Sequence, residues 1–419
     1  MIVMRIIPYR FIICLLGLFP FAGAGQPIEI LLKGGHVIDP KNKLDVDADV
    51  GITGGKIYKV AAGIPADSAK RVIDVRGKYI TPGIIDIHVH VFHGTDAGSY
   101  LANGFHGLPA DGFTFRAGVT TVVDCGSSGW KNFRLFKAQT IDRSRTRVLA
   151  FLNIVGGGMY GRLEEQDVSD MNPVMTAYMI THEFPQLIVG IKSAHYWGDF
   201  TQVDLAVKAG ELAHVPVIVD FGEHHPPNSI EELFTKHLRP GDFFTHAYAN
   251  GFEDRETVVD ASGKVKPFVY AAQQRGILFD VGHGGGAFSW VQAVPAAKQG
   301  FWPNTISTDL HTESMNGGMK DMANVMSKFL ALGMSLPDVI LRSTWNPALA
   351  IHRPELGNLS VGADADVAVF TLRTGDFGFL DVSGTRLNGK QKLEAELTIR
   401  AGKIVWDLNG IAALKTVDR

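Results

Sequence analysis

The stretch Pro82-Gly83-Ile84-Ile85-Asp86-Ile87-His88-Val89-His90 decides how the rest of the chain is read. It is an apolar run that ends in two histidines one residue apart. In a β-strand, residues i and i+2 share a face, so His88 and His90 leave the strand end on the same side. Two imidazoles converging from one rigid element suit a divalent metal such as zinc, at roughly 2.0–2.1 Å per nitrogen. An isolated His-x-His at a sheet edge carries little weight alone, so the other strand ends have to decide.

Working outward from 84–90, seven more apolar, β-branched runs follow at 119–125, 148–154, 187–193, 216–222, 242–248, 276–282 and 305–310. Segments with helical spacing lie between them, including 204–213 and 230–238, and a third at 319–332 follows the last run. Near-continuous apolar strands alternating with helices predict a parallel sheet covered on its outer face. Eight such units over about 270 residues match a TIM-like (β/α)8 barrel, which typically takes ~250. A doubly wound open sheet is the alternative, and it predicts a glycine-rich phosphate turn after its first strand. His-Val-His stands in that place.

Both ends of the chain have a different texture. Short strands are expected at 28–32, 36–39, 49–52 and 56–60, with Gly54-Gly55 as a hairpin turn. A strand at 365–370 and a hairpin over 397–406, turning at Ala401-Gly402, repeat the pattern. One small β-sandwich domain built from both termini accounts for this. The expected division is a signal peptide at 1–24, β-domain at 25–80, barrel at 81–354 and β-domain again at 355–419.

In such a barrel, functional residues sit at the C-terminal ends of strands. Strand one ends in His88 and His90, strand four in Lys192, strand five in Asp220 and strand six in His246. Strand seven runs through Asp280 to Gly282 and His283, and strand eight ends at Asp309 with His311 beyond. Ligand-type residues at six of eight strand ends favour a metal site. Lys192 has two readings: an ammonium paired with Asp220 or snorkelling to solvent, or a lysine carbamate bridging two metals. Taken singly, His246 reads as a core histidine and Asp309 as a cap. His283 is a candidate substrate contact, and the glycines at 282–286 offer a weak anion nest. Gly156-Gly157-Gly158 reads as a mobile loop beside the site, and Asn358-Leu359-Ser360 matches a glycosylation triplet.

The chain has 419 residues, 46% of them apolar, and a net charge of −3, which supplies no basic field for nucleic acid. The expected partner is a small-molecule substrate, and homo-oligomerisation is left open. Arg5 and Arg10 precede an apolar run at 11–22, and Ala22-Gly23-Ala24 supplies a cleavage pattern. This reads as a secretory signal, since ~12 apolar residues fall short of a membrane span. The mature protein is therefore expected to be periplasmic or secreted and free of the membrane. Cys14 lies in the signal, leaving Cys125 as a lone mature cysteine without a disulfide partner, read as a small buried hydrophobe.

The strand 82–90, together with the tail Gly357-Asn358-Leu359-Ser360-Val361-Gly362-Ala363-Asp364-Ala365-Asp366-Val367, strongly resembles the amidohydrolase superfamily. Gly190-Ile191-Lys192, Gly241-Asp242-Phe243-Phe244-Thr245-His246 and Phe279-Asp280-Val281-Gly282-His283-Gly284 resemble its deacetylase and dihydroorotase-like branch. The resemblance implies a one- or two-zinc site with His88, His90 and His246 as ligands and N6-carboxylysine at Lys192. It implies that Asp309 is both a metal neighbour and the proton shuttle. Strand five departs from the pattern, because a histidine is expected where Asp220 stands. Asp220 ligating through oxygen is the preferred reading; the alternatives are His224 entering from the loop, or a weak or absent second metal. The function expected is hydrolysis of a small amide or ester, of deacetylase or cyclic-amidase type, by a metal-activated hydroxide. A lactonase or phosphotriesterase, and a secreted binding protein without catalysis, are the competing readings.

Overall fold

The structure, a computed structural model, describes residues 28–94, 106–159, 163–220, 228–250 and 256–414. The signal-like segment and His224 lie outside the described residues. The chain is an α/β protein with two sheets. The first combines β1 (Ile30–Asp39), β2 (Leu44–Thr53), β3 (Lys56–Ala61), β4 (Val72–Asp74) and β5 (Tyr79–Pro82) with three strands from the far end of the chain.

The second sheet is parallel and seven-stranded. It runs β6 (Ile84–Val89), β7 (Val119–Gly129), β8 (Arg147–Asn153), β9 (Ile188–Ala194), β10 (Val217–Asp220), β11 (Phe243–Thr245) and β12 (Leu278–Phe279), neighbours in space as in sequence. Helices follow the strands as the periodicity predicts, among them Phe133–Gln139, Thr201–Ala213, Pro267–Arg275 and Met322–Ala331. Their ends carry ordinary chemistry. Asp321 caps the last of these by accepting from the Asn324 N–H, and Pro267 opens a helix that stops at left-handed Gly276.

Three expected elements differ. The segment 230–238 is a single α-turn, Ile230–Glu232, running into a π-turn, Leu233–His237. Strand seven is reduced to two residues, and 305–310 forms no continuous strand. That segment nevertheless bridges both sheet edges, with Thr305 paired to Asp280 and Leu310 to Val89. The Asp309 N–H donates to the His88 carbonyl at 2.6 Å, and the His90 N–H to the Leu310 carbonyl at 2.8 Å. Isolated backbone bonds, with the Thr305, Ser307 and Thr308 hydroxyls donating to Asp280 and Asp86, hold this eighth position in place of a regular ladder.

Beneath the strand ends an apolar plug of Ile85, Ile87, Val123, Leu149, Phe151, Ile218 and Phe243 packs against Ala348 and Ile351. Cys125 is buried in the same plug, as expected. A close-packed apolar core of this kind excludes water from that side of the strand ends.

β13 (Val367–Leu380), β14 (Arg386–Arg400) and β15 (Lys403–Asp407) complete the first sheet, in the order β15-β14-β13-β5-β1-β2-β3 with β4 beside β1. Both termini thus share one sheet, and its β14–β15 turn falls at Ala401-Gly402. Carboxylates of the tail stretch tie it to the parallel sheet: Arg147 of β8 donates to Asp364 and Asp366, each at 2.5 Å. Asn358 is buried and donates to the Leu356 carbonyl at 2.9 Å, so the triplet there does not present a glycosylation acceptor. Gly156-Gly157-Gly158 is a tied turn rather than a loose loop: Gly157 donates to the Asp170 carboxylate, and its carbonyl accepts from Asn132. Among the described residues no helix is long and apolar enough to cross a membrane.

Candidate metal centre

The strand ends bring His88, His90, Lys192, Asp220, His246 and Asp309 into one buried cluster. His88 Nε2 lies 3.6 Å from Asp309 Oδ1, and His90 Nε2 lies 3.2 Å from the same oxygen. Lys192 Nζ is 3.4 Å from His88 Nε2 and 3.7 Å from Asp220 Oδ2, and His246 Nε2 is 3.1 Å from that oxygen. Ligand atoms of His88, His246 and Asp309 all lie within 4.8 Å of one another.

Each imidazole is aimed by its other nitrogen. His88 Nδ1 sits 2.9 Å from Thr245 Oγ1, and that hydroxyl donates onward to Asp280 Oδ2 at 2.8 Å. His90 Nδ1 meets Ser127 Oγ at 3.0 Å, and His246 Nδ1 donates to the Gly282 carbonyl at 2.6 Å. With every Nδ1 engaged outward, the three Nε2 atoms converge on carboxylate oxygens. That is the posture of metal-ligating histidines, and the mixed imidazole and carboxylate donor set suits zinc.

Backbone strain marks the same residues. His246 and Asp309 have φ of 61° and 50°, a region that costs a side chain-bearing residue roughly 1–2 kcal/mol. His246 directly follows β11, and Asp309 lies in the bridging segment 305–310 beside β6. Gly282 has φ of 45°, and a Cβ there would stand 2.4 Å from Thr245 Oγ1 and 2.8 Å from His246 Nδ1. Glycine at this position therefore permits close approach to the supports of two histidines.

The electrostatics separate the protonation states. Burial, then the Lys192 ammonium, lowers His88 to about 4, so its imidazole is neutral. Burial opposes ionisation of Asp309, yet His88, His311 and His90 hold its carboxyl well below the usual carboxylate range. Burial likewise opposes Asp220, and His246 and Lys192 outweigh it. Lys192 is raised although burial works against its charge, because Cys125, Asp220 and Asp309 surround it.

His283 is buried but closed off. Its Nδ1 meets the Gly284 carbonyl at 2.9 Å, its Nε2 meets Lys328 Nζ at 2.5 Å, and its ring stacks on Phe288. Both nitrogens are committed to the protein, so the expected substrate contact is not what this geometry offers. Trp290 packs edge-on to Phe288, and its indole N–H donates to the carbonyls of Phe379 and Thr385.

Two residues were missed by sequence reading, and a third was seen without its role. Asp280 anchors the support of His88; its place at the end of strand seven was visible, but not its partners. Lys328 sits on a helix whose other residues read as core. His195 follows β9 with φ of 61°, its Nε2 3.4 Å from Asp220 Oδ2 and its Nδ1 3.3 Å from Glu165. Burial lowers its pKa, yet Glu165 and Asp220 together raise it to about 10.

No protein-family model matches the chain. Deacetylase Atu3266 of Agrobacterium fabrum is 36% identical over 342 residues, 79% of either chain. A deacetylase of Enterococcus faecalis is 30% identical over 385 residues, covering 90% of this chain and 98% of its own. Among solved structures, an adenine deaminase superposes with a TM-score of 0.81 at 29% identity, over 91% of this chain and 100% of the other. A dihydroorotase superposes at 0.78 with 30% identity, over 90% and 99% of the two chains. Set beside the convergent imidazoles and carboxylates, these likenesses decide the family: the chain belongs to the amidohydrolase superfamily and is a metal-dependent hydrolase of amide bonds.

Proposed function

We propose that the chain is a zinc-dependent deacetylase acting on a small amide, with its site at the mouth of a closed (β/α)8 barrel. One observation carries this: three imidazoles held by their Nδ1 atoms present Nε2 to the carboxylates of Asp220 and Asp309. The curated relatives that match along most of their length are named deacetylase, which favours an acyclic amide over a cyclic one. The bridges at Thr305 and Leu310 support barrel closure, and the shared terminal sheet supports a β-sandwich domain. The leader-like first residues support export.

His88, His90, His246, Asp220, Asp309 and Lys192 would hold the metal, the lysine as its carbamate. When bound, the metal supplies Lewis-acid activation of water and polarises the scissile carbonyl. Carbamate formation needs the free amine, which the neighbouring Asp220 and Asp309 carboxylates oppose by favouring the ammonium. Asp309 is a carboxylate at neutral pH and sits at the meeting point of His88 and His90. It takes a proton from the attacking water and returns it to the departing nitrogen. Water oxygen joins the carbonyl carbon, the C–N bond breaks, and the products are a carboxylic acid and an amine. Half-buried Tyr196 and exposed Trp197, beyond the end of β9, are placed to shape the entrance.

The test is turnover of N-acetyl amino acids, cyclic amides, lactones and a phosphotriester by the zinc-loaded protein, alongside elemental analysis. Asp309→Asn should lower turnover about 10²–10⁴-fold and leave more metal bound than His88→Ala does. Equal metal loss in the two variants would overturn the shuttle role, and turnover confined to lactones or phosphotriesters would overturn the amide assignment.

A further inference from the structure

The strand-five position that the superfamily fills with histidine holds Asp220 here. The carboxylate is not alone at that corner. Its Oδ2 lies 3.1 Å from His246 Nε2, 3.4 Å from His195 Nε2 and 3.7 Å from Lys192 Nζ. Two imidazoles and a lysine therefore surround one carboxylate oxygen.

His195 reaches this corner by an unusual route. Along extended β9, Lys192 and Ser193 point to opposite faces, and Ser193 Oγ donates outward to Gln202 at 2.9 Å. Continued alternation would send His195 the way of Ser193, away from the centre. Its left-handed backbone, with φ of 61°, turns the ring back toward Asp220. The turn is fastened by Gln166, whose side chain donates to the His195 carbonyl at 2.7 Å. Glu165, only 1% exposed, then engages His195 Nδ1 at 3.3 Å.

The result repeats the posture of His88, His90 and His246: Nδ1 tied to an outer group, Nε2 presented to a central carboxylate. A buried carboxylate behind an imidazole is the usual support of a metal-bound histidine. We propose that His195, held by Glu165, joins Asp220 as a ligand of a second zinc and stands in for the absent strand-five histidine. His246 and the carbamate of Lys192 complete its donors. The assignment rests on the metal-centre reading above, and the experiment separates the two.

Wild type, His195→Ala, Glu165→Gln and His224→Ala are loaded with zinc in bicarbonate, and bound zinc is counted by elemental analysis and titrated against a chelator. Wild type and His224→Ala should hold about two ions, His195→Ala about one, all with unchanged circular dichroism. Glu165→Gln, which keeps the ligand but weakens its support, should loosen the second ion about 10–100-fold. Two tightly held ions in His195→Ala would overturn the proposal, as would loss of the second ion in His224→Ala. A wild type binding one ion overturns it while leaving the metal-dependent reading intact; a wild type binding none overturns both.

Discussion

Replacing Gly282 with alanine tests how the centre is held together. The residue has φ of 45°, so an alanine there pays about 1–2 kcal/mol for the left-handed backbone. Its Cβ would also stand 2.4 Å from Thr245 Oγ1, 2.8 Å from His246 Nδ1 and 3.0 Å from His88 Nδ1. None of these atoms is the far end of a flexible chain: all belong to buried, hydrogen-bonded groups, and overpacking of that kind costs about 1–3 kcal/mol more. The expected loss is therefore about 2–5 kcal/mol, read as a melting-temperature drop of about 2–6 °C in a chain of this length. Displacing two histidine supports should also weaken zinc about 10–100-fold in a chelator titration. Gly286 is the internal control. It lies four residues on in the same glycine-rich stretch, and a Cβ there meets nothing within 4 Å. Gly286→Ala should shift stability by no more than about 1 kcal/mol, in the stabilising direction. If Gly282→Ala melted with the control and kept wild-type zinc affinity, close approach would not be the reason for glycine at that position.

Two further outcomes follow from groups behind the site. Asp280 accepts from Thr245, Thr305 and Ser307, so Asp280→Ala strands three buried hydroxyls and unties His88. It should lower zinc affinity about 10–100-fold, and unchanged affinity would remove Asp280 from the support. Lys328 is lowered by burial to about 7, with Asp381 opposing. Between that value and 10.5 the unfolded amine holds more protons than the folded one, so its contribution to stability rises with pH across the window. Lys328→Met should remove a slope of about 1.4 kcal/mol per pH unit from denaturation curves taken at pH 7 to 9. Parallel pH profiles for the variant and wild type would refute this.

The sequence by itself determined the order of strands and helices, because each apolar run must be covered on both faces and each helix carries its own periodicity. It also determined which strand ends carry His88, His90, Lys192, Asp220, His246 and Asp309, because period-two alternation assigns residues to faces without knowledge of neighbours. The sharing of one sheet by both termini was legible from the matching β-rich texture of the two ends. Tertiary structure alone decided what those side chains meet. The left-handed turns at His195, His246 and Asp309 leave no mark in local propensity; they persist because hydrogen bonds from segments distant in sequence hold them. Nothing adjacent to His283 announces Lys328, which arrives from a helix 45 residues on and closes a ring that sequence reading had assigned to substrate. The same holds for Asp220. Its sequence context showed only a missing histidine, while the fold sets His195, backed by Glu165, against the carboxylate, because convergence of separate strand ends is a property of the assembled parallel sheet and not of any one segment.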